Sequence, residues 1–231
     1  MITSCIIKHM GKGYDHIGNK DLLFLLGEEI KQPLIAISQI SELEGFDESI
    51  NAQTKRALRT IDNILLYGRV HSGQVALQLE PVHVGSTIRE VSEAMEPIMR
   101  ASGCHTDIRI QKSLSAVDVD RRVLRAALQG MWQTILGNVS APTDIVCKAQ
   151  KTQDGIRLSL TSKNAQLDNL SLSQVNTESS QPVSAIAGSA ADLLTSQGMF
   201  ELLGAKLSKA TGRKRAGLGV TLKVSKQLQI L

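Results

Sequence analysis

Few side chains in this sequence have types and spacing that suggest chemistry. The adjacent carboxylates Glu28-Glu29 lie inside an apolar-periodic stretch and offer a fixed anionic pair, although paired glutamates on an exposed helix face are common. His9, His83 and His105 have no acid and nucleophile pattern around them of the kind general acid-base or covalent catalysis needs. His16 precedes the first long helix and His71 ends the second, so all five histidines read as surface or satisfied polar residues. Cys5, Cys104 and Cys147 are too few and too scattered for a disulfide framework or a metal site, so reduced thiols and no metal are expected. Gly217-Leu218-Gly219 resembles a phosphate-cradling loop on paper. It follows a basic turn and precedes strand-like residues, however, whereas such a loop opens a helix, so it is read as a hairpin turn. The serines and threonines between 162 and 184 are candidate modification sites without a nucleophile and base arrangement. After Glu201 the chain carries Lys206, Lys209, Arg213, Lys214, Arg215, Lys223 and Lys226 and no acid, a patch suited to nucleic acid or to an acidic protein face. With 3% aromatic residues there is little to stack on bases, which argues against nucleic acid.

These groups must be held by elements that the periodicity defines. At 231 residues, 42% hydrophobic and 21% charged with a formal charge of +4, the chain has an ordinary soluble composition and room for one large domain or two small ones. No apolar run reaches the roughly 20 residues that span a bilayer, and the first ten residues lack a secretory h-region and cleavage site. A cytoplasmic protein is expected. From about Asp21 to Glu44, Leu23, Leu26, Ile30, Pro33, Ile37 and Ile40 form a heptad seam on one long helix. Gly45 stops it, Asp47 or Ser49 can cap the next helix, and a second seam follows at Ile50, Thr54, Ala57, Ile61 and Ile64. Two such helices make an antiparallel hairpin with an uncovered apolar face. Pairing two hairpins into a four-helix bundle would cover it, so a homodimer is expected.

Beyond Gly73 the pattern changes to a mixed one. Val75 to Leu79 reads as extended, Ser86 as the cap of a helix over 87–102, and Thr106 to Gln111 and Ala116 to Val119 as strands. Arg121 to Leu136 is helical, with Trp132 and Met131 as core contacts. Ile145 to Ala149 and Ile156 to Leu160 form a hairpin turning at Asp154-Gly155. Residues 162–184 read as a loop, Ala190 to Leu203 as a helix, and Ala205 to Lys209 and Val220 to Val224 as closing strands. Helices covering one face of a mixed sheet give an α+β chain, a helical hairpin followed by an α/β sandwich.

The first long helix carries Leu26-Gly27-Glu28-Glu29-Ile30-Lys31-Gln32-Pro33-Leu34. With a hairpin partner and a sandwich behind it, this resembles the transmitter core of a sensor histidine kinase. That core is a dimerisation and histidine-phosphotransfer hairpin followed by an ATP-binding domain. The family motif reads S-H-E-[LIF]-[RK]-x-P-L, and Glu29, Ile30, Lys31 and Pro33-Leu34 match it, while Glu28 stands in the histidine place. The resemblance covers about Lys20 to Val224, the second half by order of elements more than by identity. It divides the chain into a segment 1–19, a hairpin 20–73 and an ATPase-like sandwich 74–231. Asp120, Leu124, Ala127 and Leu128 fit the lead into the family's N box, where Gly130 and Thr134 replace the two Asn residues that bind magnesium and phosphates. Ser162, Asn164 and Gln166 stand where D-x-G-x-G is expected. Gly188, Ala190 and Asp192 stand at the glycines of G-x-G-L-G-L, of which Gly188 alone is kept.

The resemblance therefore implies a site whose reactive parts are replaced. A carboxylate is not a nitrogen nucleophile, and Glu28 is an anion facing an anionic phosphoryl group. The missing Asn removes a metal ligand, the missing Asp an adenine contact, and the lost glycines add side chains where backbone must approach phosphate. No ATP or Mg²⁺ is expected as cofactor, and no enzymatic activity. What the resemblance implies instead is a catalytically degenerate, dimeric signalling scaffold or regulator. It would bind a receiver domain or a histidine kinase near Glu28, Gln32, Ile35 and Gln39, with Glu28 at a solvent-facing f position. The alternatives are a divergent kinase or phosphotransferase that keeps phosphotransfer, and, more weakly, a nucleic-acid-binding regulator using the basic C-terminal face.

Overall fold

The computed structural model describes residues 19–43, 48–165, 189–212 and 214–225. The expectations placed on Cys5, His9, His16, the turn at 44–47, Gln166, Gly188, the greater part of the 162–184 loop, Arg213 and Lys226 lie outside these residues.

The chain begins with helices α1 (Asn19–Leu43) and α2 (Glu48–His71). They are antiparallel: Ser38 Oγ donates to Asn51 Oδ1 at 3.3 Å near one end, Lys31 pairs with Asp62 at 2.7 Å midway, and Glu28 meets Arg69 at 3.3 Å near the other. The residues of α1 turned toward α2 are Gly27, Lys31, Leu34 and Ser38, at steps of four, three and four. Gly27 lets Leu65 in, since a Cβ there would lie 2.8 Å from Leu65 Cδ2. The apolar seam read from the sequence faces elsewhere. Ile30, Ile37 and Ile40 are 52%, 45% and 50% exposed, as is Ile50 of the second seam at 45%. The stripe α2 meets contains one aliphatic residue, Leu34, and the aliphatic stripe beside it stays uncovered. Helix α1 continues through Pro33.

After α2 the segment 75–79 joins no strand ladder. Val75 and Leu77 pack on the core, and Gln78 N–H donates to Asp120 Oδ2 at 2.9 Å. The strand forms one step later, β1 (Glu80–Val82), because only there does β3 (Val117–Val119) lie opposite, with Glu80 facing Val119. Helix α3 (Val84–Ala101) starts before Ser86. Its N-cap is His83, and Ser86 Oγ donates back to the His83 carbonyl at 2.7 Å instead of capping. Val84, Ile88, Val91, Met95 and Ile98 form its buried stripe.

Five strands make one sheet in the order β2-β4-β5-β7-β6: β2 (Cys104–Ile110), β4 (Thr143–Thr152), β5 (Gly155–Ser162), β6 (Ser208–Gly212) and β7 (Arg215–Leu222). β2 runs parallel to β4, and the other pairs are antiparallel. Alternation sets the two faces of β5, with Ile156, Leu158 and Leu160 buried and Arg157, Ser159 and Thr161 turned outward. Helix α4 (Arg121–Leu136) is buried nearly all round from Ala126 to Ile135, and Trp132 and Met131 are core residues as expected. Helix α5 (Ser189–Leu202) packs on α4. Helices on one face of a mixed sheet are what the sequence pattern called for. The closing strands are displaced, to 208–212 and 215–222, and Gly217-Leu218-Gly219 lies inside β7 rather than in a turn. A close backbone approach explains the glycine: a Cβ on Gly217 would overlap the Leu160 carbonyl oxygen.

Gly217→Ala should accordingly lower unfolding free energy by about 2 kcal/mol or more, read from urea or thermal unfolding, whereas Gly212→Ala, with open space at its Cβ position, should change it by less than about 1 kcal/mol.

Candidate functional site

The positions of interest on α4 and α5 meet where the two helices cross. Small residues govern this approach. A Cβ on Gly130 would lie 2.8 Å from Ser196 Cβ and 2.9 Å from the Asp192 carbonyl oxygen, so α5 is pressed against α4 at the place where the sequence compares Gly130 with an Asn. Ser196 Oγ locks the crossing by donating to the Ala127 carbonyl at 2.8 Å. One turn along, Thr134 is fully buried and its hydroxyl donates to the Gly130 carbonyl at 2.8 Å.

On its other side α5 is covered by α2. Asp192, 2% exposed, accepts a hydrogen bond from Thr60 Oγ1 at 2.8 Å. Its second oxygen stands 3.5 Å from Arg56 Nη2, an ion pair without hydrogen-bond alignment. Burial pushes the Asp192 carboxyl above its usual range, opposed by Thr60 and by the Arg56 charge. Farther down α5, Gly198 makes room for Tyr67, whose ring carbon would be 2.5 Å from a Cβ there, and Tyr67 stacks on His71 at 5.3 Å between ring centroids. Thr60, Arg56, Tyr67, Ser196 and Gly198 were not singled out from the sequence. The available signal was the mid-helix glycines, Gly130 and Gly198, each of which marks a close approach.

The other compared positions are not part of this crossing. Ser162 is fully buried at the end of β5, its hydroxyl 2.8 Å from that of Thr143, and Asn164 is exposed with its amide 3.5 Å from the Ser140 carbonyl. Ala190 lies in the first turn of α5. Asp120, by contrast, is structural. It caps α4 through the N–H groups of Arg122 and Val123; burial alone would push its carboxyl up, but Arg122 and the Gln78 and Val123 amides hold it below its usual range.

On the hairpin, Glu28, Glu29, Gln32 and Gln39 are exposed and Ile35 is half-buried, so they form one accessible stripe. Glu28 is exposed as expected from its f position, but it is not a bare charge: Arg69 lies at 3.3 Å and Lys31 at 3.6 Å. Such exposed pairs contribute about 0 to 1 kcal/mol and leave the stripe open to a partner. Cys104 and Cys147 are buried and unbridged, with burial pushing the Cys147 thiol up to about 12. Among the described residues no His, Cys, Asp or Glu cluster could hold a metal, and no helix is long and apolar enough to cross a membrane.

Asp192→Ala should cost about 1 to 3 kcal/mol in urea unfolding, since it leaves the Thr60 hydroxyl and the Arg56 charge without their partner. Asp192→Asn should cost less. Because the folded carboxyl is raised above 3.8, its contribution is complete below that value and is lost as pH rises through the raised one. Unfolding free energy should carry a component that falls between the acid side and neutrality in the parent chain and is absent in Asp192→Asn.

No family model and no curated protein matches the sequence. Solved structures do match the fold. A histidine kinase of Acinetobacter baumannii, AdeS, aligns at 12% identity and a TM-score of 0.54, over 87% of this chain and 96% of that one. Full-length ShkA, solved in complex with AMPPNP, aligns at 15% identity and a TM-score of 0.61, over 90% of this chain and 47% of that one. The catalytic domain of histidine kinase ThkA aligns at 12% identity and a TM-score of 0.51, over 64% of this chain and 96% of that domain. The helical hairpin leading into a sandwich of helices on a mixed sheet is therefore the fold of a histidine kinase transmitter with its ATPase-type domain.

Proposed function

We propose that this chain is a catalytically silent, histidine-kinase-like regulator that works by binding other proteins as a dimer. The observation that carries the reading is the α4–α5 crossing. At the two positions compared with the metal-binding Asn residues, the chain offers no carboxamide oxygen: Gly130 has no side chain, Ser196 and Asp192 of α5 stand against it, and the Thr134 hydroxyl is committed to the α4 backbone. Ser162, in place of the adenine-contacting Asp, is committed to Thr143. These residues do not fit a nucleotide with its magnesium. Glu28, in the histidine place, is paired with Arg69 and Lys31 and has no nitrogen lone pair to offer.

The hairpin supports the other half of the proposal. The uncovered stripe of Ile30, Ile37 and Ile40 is apolar, regular and long, and a second hairpin would bury it in a four-helix bundle. In that arrangement Glu28, Gln32, Ile35 and Gln39 remain on the outside, where a receiver domain or a genuine kinase would dock. The hairpin 20–73 and the sandwich 74–231 are the corresponding working units, and the cytosol is the compartment such partners share.

Calorimetric titration with Mg-ATP should give no saturable heat, and light scattering should give twice the chain mass. Ile30→Glu combined with Ile37→Glu should halve that mass while leaving the helical circular dichroism signal in place. Saturable Mg-ATP binding, or transfer of labelled γ-phosphate to any histidine, would contradict the proposal.

A further inference from the structure

The helices cover one face of the sheet, and the opposite face is charged in a way that neither the fold nor the proposed dimer uses. One register row crosses all five strands: Arg109 faces Lys148, Lys148 faces Ser159, Ser159 faces Gly219, and Gly219 faces Ser208. Two cations directly opposite one another on neighbouring strands repel. Arg109 is offset by Asp107, which accepts from its guanidinium at 2.9 and 2.6 Å. Lys148 is exposed, and among the described residues neither it nor Arg157 is paired with a carboxylate; Arg157 reaches only the Thr221 hydroxyl at 3.5 Å.

Along this row the face sinks into a concavity of about 360 Å³ lined by residues of all five strands. Small residues line it, Ser159, Thr161 and Ala210, and Gly219 and Gly217 of β7 are the register partners of Ser159 and Thr161. Gly219 matters sterically, because the Arg157 guanidinium lies 3.1 Å from where its Cβ would be and so folds across the trough. Arg157 sits at one end, opposite Thr221, and Arg215 at the other, six residues along β7, or about 20 Å. Lys148 lines the side. A narrow trough with hydroxyls on its floor and separate cations along its rim matches an extended chain with spaced carboxylates. It does not match nucleic acid well, since no Phe, Tyr or Trp occurs in the five strands to stack on a base.

We infer that the outer face of the sheet is a second protein-binding surface, which takes an extended acidic polypeptide segment across Lys148, Arg157 and Arg215. This surface is remote in sequence from the Glu28 stripe and does not depend on the chain being catalytically silent. The test is fluorescence anisotropy with a labelled twelve-residue peptide of alternating Glu and Ser, run against the parent chain and against Lys148→Ser combined with Arg157→Ser. The double variant should bind about tenfold more weakly or worse, and the matched loss of charge in Lys206→Ser with Lys223→Ser should change affinity by less than about threefold. In the parent chain, carbodiimide coupling of the same peptide should join it to Lys148, as read by mass spectrometry, which needs no variant to fold. Failure of the peptide to bind saturably, equal weakening by both double variants, or coupling confined to lysines outside the sheet face would overturn the inference. So would tighter binding of a DNA duplex of equal charge that is lost in the same variant.

Discussion

A single buried carboxylate constrains how the rest of this molecule fits together. Asp192 sits in the first turn of α5 with almost no water contact, and placing an anion there costs free energy unless charge and hydrogen bonds offset it. Both partners, Thr60 and Arg56, come from α2 rather than from the sandwich. The hairpin is therefore not a separate rod joined by a strap. Its second helix supplies what α5 requires, and α5 in turn is held against α4 by the Gly130 crossing and the Ser196 hydrogen bond. Tyr67 over Gly198 extends the same contact by one more shape-matched pair.

Three helices in layers leave α4 buried nearly all round; Gly130, Thr134 and Asp192 lie inside that packing, and Ser162 is hydrogen-bonded to Thr143. The surfaces that stay open have a different character. They are an aliphatic stripe on α1, a polar stripe around Glu28 on the other side of the same helix, and the basic outer face of the sheet. All three suit contact with other polypeptides, and their separation on the molecule would let one chain hold more than one partner.

Much of the fold was legible because it rests on periodicity. The heptad spacing defined α1, the apolar runs on either side of Asp154-Gly155 defined the β4–β5 hairpin, and the helical pattern from Arg121 to Leu136 defined α4. What could not be read was which face each element turns to which neighbour. The α1 seam read as an uncovered apolar face stays exposed at Ile30, Ile37 and Ile40. The residues that do meet α2, Gly27, Lys31, Leu34 and Ser38, were not legible because their partners Asn51, Asp62 and Leu65 lie on the other helix. Ser86 looked like a cap, but the helix starts at Val84, where Val84 itself is needed in the core. Gly217 and Gly219 looked like a turn because glycine signals both turns and close strand approach, and only the pairing with Leu160 and Arg157 separates the two. The site was legible as a set of substitutions along a motif. Its physical meaning came from Thr60, Arg56 and Ser196, which belong to no motif and are recognised only as neighbours of Asp192 and Gly130.

Hydrogen exchange along α4 and α5, measured with and without Mg-ATP, tests most directly whether the stacked helices exclude a nucleotide. Both helices should exchange slowly, at rates that the nucleotide leaves unchanged. New protection of residues 121–136 in the presence of Mg-ATP, or fast exchange in α5 that the nucleotide slows, would contradict it.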